Sequence, residues 1–224
     1  MDIFDSILKA SQESDLVLLD ANIFSEESRG EGLCERLYEA RRPKSLEPLK
    51  EEISRLKDMW TWYHDNVTKN KKIKTTQPVL EEIKELAEII TQCYEWHSGF
   101  YGPEPTKNKK LKYSKREKIL RSIARGRSLS RDDTPQVVKE LGTLSTLMQE
   151  TIRDIKVYNG NTIGIPRKYN NASDADYGLV EAAIGYVNSH PDDQAEIVSL
   201  DRHIPQILQG HLGKDNRWST EYKN

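Results

Sequence analysis

Asp15-Leu16-Val17-Leu18-Leu19-Asp20-Ala21-Asn22-Ile23-Phe24 is the stretch whose reading decides the fold. Leu16 to Leu19 form an apolar run too short for a helix of its own, and such runs suit a strand buried on both faces, as in a parallel sheet. The run ends abruptly in an acid, with an amide two residues on. In open α/β sheets the ligand crevice lies outside the carboxyl ends of the strands. A carboxylate at that spot sits at the edge of a core, where a cation relieves the cost of its desolvation. Asp20 is therefore a candidate metal ligand, and the remaining sequence must supply partners for it.

Working outward, residues 3–12 read as a short helix leading into this strand, and residues 31–42 and 46–66 carry helical spacing. Ile73 to Thr76 is short and β-branched, a second strand. Pro78 suits the first turn of a helix that continues through Cys93. Residues 98–112 hold Gly102, Pro103 and Pro105 among lysines, which is loop chemistry. A basic helix is expected at 113–127 and an amphipathic one at 135–158, ended by Asn159-Gly160-Asn161. A helix over about 174–189, a third strand Glu196 to Leu200 and a helix over about 203–210 follow. Trp218 to Tyr222 offers a possible further strand.

Strands separated by long helical tracts predict a parallel sheet covered by helices on both faces, a three-layer α/β/α fold. About 120 residues lie between the second and third strands, far more than one crossover needs. The expectation is a single domain over 1–224 carrying a helical insertion at about 95–160.

Composition narrows the function classes. Charged residues make up 31% and hydrophobic ones 36%, and the formal net charge of −2 excludes a generic polyanion binder, leaving local patches as the only route to nucleic acid. No apolar stretch is long enough to cross a bilayer, so no membrane partner is expected. Met1-Asp-Ile-Phe-Asp-Ser lacks a basic region followed by an apolar stretch, which argues against a secretory signal. Cys34 and Cys93 are far apart and without metal-type spacing, so two free thiols in a reducing cytoplasm are expected.

Further acids occupy places comparable to Asp20. Glu81 and Glu82 lie in the first turns of the helix after the second strand, Asp174 and Asp176 open the helix at 174–189, and Asp201 terminates the third strand. If the strands are parallel and adjacent, these side chains gather at one sheet edge, where they repel unless protons or cations neutralise them. Oxygen ligands of this kind suit Mg²⁺ or Mn²⁺. Each acid also has a plainer reading. Ser173-x-x-Asp176 is close to a capping box, and acids in a first helical turn are favoured by the helix dipole. Asp20 is the exception, since a solvation role does not follow naturally from a fully apolar strand.

Four local patterns, in order, make the chain resemble the PIN-domain nucleases. Leu16 to Phe24 resembles the family's opening strand with its first acid. Thr76-Gln-Pro78-Val79-Leu80-Glu-Glu82-Ile83 resembles the second segment, whose spacing favours Glu82 over Glu81. Ser173-Asp-Ala-Asp176 through Ala183 resembles the third, and counting back seven residues from Ala183 picks Asp176, with Asp174 auxiliary. Ile197-Val-Ser199-Leu-Asp201 resembles the fourth. The match covers residues 15–24, 73–90 and 173–209 and leaves 31–66 and 95–160 unexplained. Haloacid dehalogenase-like phosphatases also place an acid after a strand, but need a second Asp where this chain has Asn22, which transfers no proton.

The resemblance implies a central parallel sheet and a metal-dependent endoribonuclease. Asp20, Glu82, Asp176 and Asp201 would hold one or two Mg²⁺ or Mn²⁺ ions, and RNA cleavage would leave a 5′-phosphate and a 3′-hydroxyl. Asn22, Thr76 and Ser199 could orient ligands from a second layer. The basic run containing Lys109, Lys110, Lys112, Lys115, Arg116, Arg121 and Arg125 could neutralise RNA phosphates, a solvated helix face being the alternative. Arg167 and Lys168 could touch the scissile strand. Trp60, Trp62, Tyr63, Tyr94, Trp96, Phe100 and Tyr101 read as core packing ahead of base stacking. The five histidines show no ligand spacing, and none is assigned chemistry. A homodimer or an antitoxin-like protein partner is compatible with the family. The competing function is a PIN-like module that holds RNA or protein without cutting.

Overall fold

The computed structural model describes residues 3–25, 47–98, 134–169, 172–212 and 218–221. Four strands form one parallel sheet in the order β2-β1-β3-β4, with β1 at Leu16–Leu19, β2 at Ile73–Lys74, β3 at Ala195–Val198 and β4 at Trp218–Glu221. Among the described residues seven helices accompany it: α1 (Ile3–Glu13), α2 (Ala21–Ser25), α3 (Glu47–Asn66), α4 (Gln77–Ser98), α5 (Thr134–Asp154), α6 (Asp174–Ser189) and α7 (His203–Leu212). The chain is thus mixed α/β with a parallel sheet. The tail that offered only a possible strand supplies β4, paired along its length with β3.

Every residue of β1 and of β3 is buried, as the unalternated apolar run of β1 requires, and in β3 the buried acid Glu196 accepts from the Ser14 hydroxyl at 3.1 Å. Helices α1 and α6 both pack on β1 and β3. α1 turns Ile7 and Ala10 inward. α6 is apolar nearly all round, burying Leu179, Val180, Ala182, Ala183, Ile184 and Val187, as expected of a helix enclosed by the core. Its start is a capping box on Ser173, as the sequence suggested, and its end is closed by the His190 amide donating to the carbonyls of Tyr186 and Val187.

The described residues group into two compact units. One holds the whole sheet with α1, α2, α6 and α7, drawn from the stretches within 1–26, 65–83 and 154–224. In it the segment after Tyr158 lies against α6. A Cβ on the buried Gly185 would stand 1.9 Å from the Asn161 carbonyl oxygen, and the Ile163 amide donates to the Glu181 carbonyl. The second unit draws on 27–64 and 84–153 and is helical where described. Its α3 stretch buries Ile53, Leu56, Met59, Trp60 and Tyr63 at helical spacing. Thr91 and Ser145 share a hydrogen bond of 2.8 Å, joining α4 to α5. Trp60 and Tyr63 meet edge to face with centroids 5.9 Å apart, so these two aromatics serve packing.

Two expectations shift. The helix expected over 135–158 ends at Asp154, because residues 155–158 spend their backbone on the sheet edge. Thr75 N donates to the Lys156 carbonyl at 2.9 Å and Tyr158 N to the Thr75 carbonyl at 2.8 Å, a parallel bridge between Thr75 and Val157. The second strand is correspondingly shorter than Ile73 to Thr76, with Thr75 in that bridge. The helices expected at 31–42 and 113–127 lie outside the described residues, as do Lys109, Lys110, Lys112, Lys115, Arg116, Arg121 and Arg125.

Candidate metal centre

Strand order locates the site. From β1 the chain crosses to β2 on one side, and β3 then pairs on the other side of β1. Connections leaving the carboxyl ends of β1 and β3 therefore diverge, the topological switch point at which open α/β sheets bind their ligands. Asp20 is the residue immediately after β1, and Ser199-Leu200-Asp201 follows β3 directly. Leu19 pairs with Val198, so the next step along each strand sets Asp20 beside Ser199, although 179 positions separate them.

Ser199 is the hub of this edge. Its hydroxyl donates to Asp20 Oδ2 at 2.6 Å and accepts from the Asp201 amide at 2.8 Å and from Asn22 Nδ2 at 3.3 Å. Asn22 Oδ1 in turn accepts from the Leu200 amide at 3.0 Å. The side chain of Asn22 thus bridges the start of α2 to the turn after β3. The Ala21 amide donates to Asp20 Oδ1 at 2.7 Å. On the other flank Thr75 Oγ1 donates to the Leu19 carbonyl at 2.8 Å, fastening the end of β2 to the end of β1.

α6 brings Asp176 to the same edge. This residue is buried, and its capping role engages Oδ2, which accepts from the Ser173 amide at 2.6 Å. Asp201 Oδ1 accepts from the His203 amide at 2.8 Å, opening α7. Ligand atoms of Asp176, Asp201 and His203 all lie within 4.8 Å of one another. Asp20 and Glu82 stand outside that tight group, and the charges of Asp176 and Glu82 both bear on Asp20. Burial pushes the Asp20 carboxyl from its ordinary 3.8 up to about 7. The bond from Ser199 opposes this rise, the charge of Asp176 adds to it, the Ala21 amide opposes it, and Glu82 adds to it. Burial likewise raises Asp176, against the bonds from Ser173 and with the repulsion of Asp201.

Of the acids expected to gather, Asp176 and Asp201 therefore come within reach of one ion, Asp20 is tied to them through Ser199, and Glu82 is an exposed neighbour whose charge Asp20 feels. Glu81 instead accepts from Gln77 one turn earlier. Asp174 is 92% exposed, faces Arg167 at 3.7 Å and is not among the tight group. Arg167 itself is committed: its guanidinium pairs with Glu181 and stacks on Tyr177 at 4.2 Å from the ring centroid.

His203 is the residue that sequence reasoning passed over. A search for histidine-to-histidine spacing misses it. The signal was its place two residues beyond a strand-ending acid, at the first position of a helix.

The donor set fits a divalent cation. Among the described residues Asp20, Asp176 and Asp201 form no ion pair with lysine or arginine, and the one cationic group beside them is the His203 ring, 3.0 Å from Asp201 Oδ1 and charged only when protonated. Thr76 is 6% exposed and its Oγ1 has no hydrogen-bond partner among the described residues. That hydroxyl lies 3.7 Å from where a Cβ on Gly178 would stand, two residues past Asp176 on α6. Carboxylate oxygens, a hydroxyl and an imidazole are the ligands such an ion accepts. No protein family, curated protein or solved structure matches the chain.

Proposed function

We propose that this protein is a metal-dependent endoribonuclease of the PIN type, a three-layer α/β/α nuclease of the cytoplasm that hydrolyses RNA phosphodiester bonds with Mg²⁺ or Mn²⁺. The observation that carries this reading is the juxtaposition at one sheet edge of a buried Asp20 with Asp176 and Asp201, delivered by three separate elements and, among the described residues, without a lysine or arginine paired to them.

Asp176 and Asp201, with His203, would hold the ion, and Asp20 and Glu82 would complete the negative hollow around it. A bound divalent ion supplies Lewis-acid chemistry, neutralising charge on phosphate oxygens and lowering the pKa of water. The chain's own contribution is orientation. Ser199 fixes the Asp20 carboxylate in one direction, and Asn22 pins the turn that carries Asp201. Burial raises the Asp20 carboxyl, and a bound cation would favour its ionised form.

The test is incubation of the full chain with end-labelled single-stranded RNA, with Mn²⁺, with Mg²⁺ and with chelator. Internal cleavage that needs the metal and disappears in Asp20→Asn supports the proposal. RNA bound but left intact in both metals would replace it with the non-cutting PIN-like module.

A further inference from the structure

We propose that His203 is a direct ligand in the Asp176–Asp201 hollow, and that its imidazole makes the site select a transition-series divalent cation, Mn²⁺, over Mg²⁺. This rests on the metal-binding half of the reading above and is independent of RNA cleavage.

The geometry of the imidazole is the starting point. His203 Nδ1 lies 3.0 Å from Asp201 Oδ1, is shielded from solvent, and has no partner in hydrogen-bonding orientation. A buried nitrogen so close to a carboxylate oxygen, yet misaligned for a hydrogen bond, is accounted for when both aim their lone pairs at a common point. Two neighbouring donors around an octahedral ion, each at roughly 2.1 Å, are separated by about 3.0 Å. Asp176 completes the group, since one ligand atom from each of Asp176, Asp201 and His203 lies within 4.8 Å of the others. The backbone holds the ring in place, because the His203 amide donates to the same Asp201 Oδ1 at 2.8 Å.

Thr76 supplies a second and separate observation. It follows β2 and leads into α4, and its hydroxyl is buried without a partner, 3.7 Å from where a Cβ on Gly178 would stand in the first turns of the helix that carries Asp176. Buried polar atoms without partners are rare and call for an ion or water to satisfy them.

Selectivity follows from the donor type. Mg²⁺ keeps water and oxygen ligands at near-ideal octahedral geometry. Replacing one oxygen donor by imidazole shifts the balance toward first-row transition ions, for which nitrogen is a better ligand. Asp176 and Asp201 alone would leave the two ions close competitors.

The experiment uses the full chain with Mn²⁺ alone, followed by electron spin-echo modulation, and measures Mn²⁺ and Mg²⁺ affinities by calorimetry. Nitrogen modulation from a coordinated imidazole is expected in the wild type and is lost in His203→Gln. That variant should bind Mn²⁺ at least about tenfold more weakly with Mg²⁺ affinity nearly unchanged. Mn²⁺ that binds without nitrogen modulation, Mn²⁺ that does not bind, or equal weakening of both ions overturns the proposal. Should His203→Gln fail to fold, the wild-type spectrum decides by itself. RNA cleavage without nitrogen coordination would leave the nuclease standing and remove His203, and nitrogen coordination without cleavage would do the reverse.

Discussion

Asp20→Asn should make the protein more stable at neutral and alkaline pH while abolishing metal-dependent cleavage. The buried carboxyl has its pKa pushed from 3.8 to about 7. Below 3.8 it is protonated in both folded and unfolded chains, and no penalty arises. Between the two values the unfolded chain releases its proton and the folded one retains it, so stability falls as pH rises, and the loss is complete above about 7. At about 1.4 kcal/mol per pH unit, that interval corresponds to roughly 4 kcal/mol. Asparagine carries no charge and escapes the loss, but it weakens the bond from Ser199, which offsets on the order of 1 kcal/mol. The net gain of roughly 3 kcal/mol in a chain of this size amounts to a Tm higher by about 6–12 °C. Thermal unfolding of both proteins in chelator from pH 4 to pH 8 measures it. The gap should be small at pH 4, open across the interval, and narrow again when Mn²⁺ is added to the wild type. A gap that stays constant with pH would refute the assignment of a buried, costly carboxylate to this position.

Three further outcomes follow from the same geometry. Ser199→Ala removes the bond that lowers Asp20, so the pH above which RNA is cleaved should move upward; it also strips an acceptor from the Asp201 amide and Asn22, costing about 1–3 kcal/mol in denaturant titration. An unmoved pH profile would detach Ser199 from Asp20. Glu82→Gln should weaken Mn²⁺ binding and slow cleavage, whereas Glu81→Gln, at the exposed residue that accepts from Gln77, should do neither; equal effects in calorimetry would overturn the choice between them. Gly185→Ala forces a methyl group to 1.9 Å from the Asn161 carbonyl oxygen, and backbone must move, lowering stability by about 1–3 kcal/mol; a Tm within a degree of wild type would refute the close approach.

Much of this fold and part of its candidate site are legible in local residue pattern. The apolar run Leu16–Leu19 is uninterrupted because a strand covered on both faces has no solvent side to mark with polar residues. Ser173 and Asp176 announce the start of α6 by capping chemistry that needs only three residues of spacing. The helix through residue 158 was misjudged for a physical reason. Ile155 and Val157 continue the apolar pattern of α5, but the free edge beside Thr75 competes for their backbone, and that edge exists only once β2 has folded.

The amino-acid order by itself determines which residues form strands and helices, and that acids stand at strand ends and helix starts, because these depend on periodicity and on neighbours a few residues away. Tertiary structure alone decides that β3 lies against β1 rather than β2, placing Ser199 on Asp20, and that His203 joins Asp176 across two helices. Those contacts are set by how long crossovers close and which faces bury together, a balance summed over the whole core.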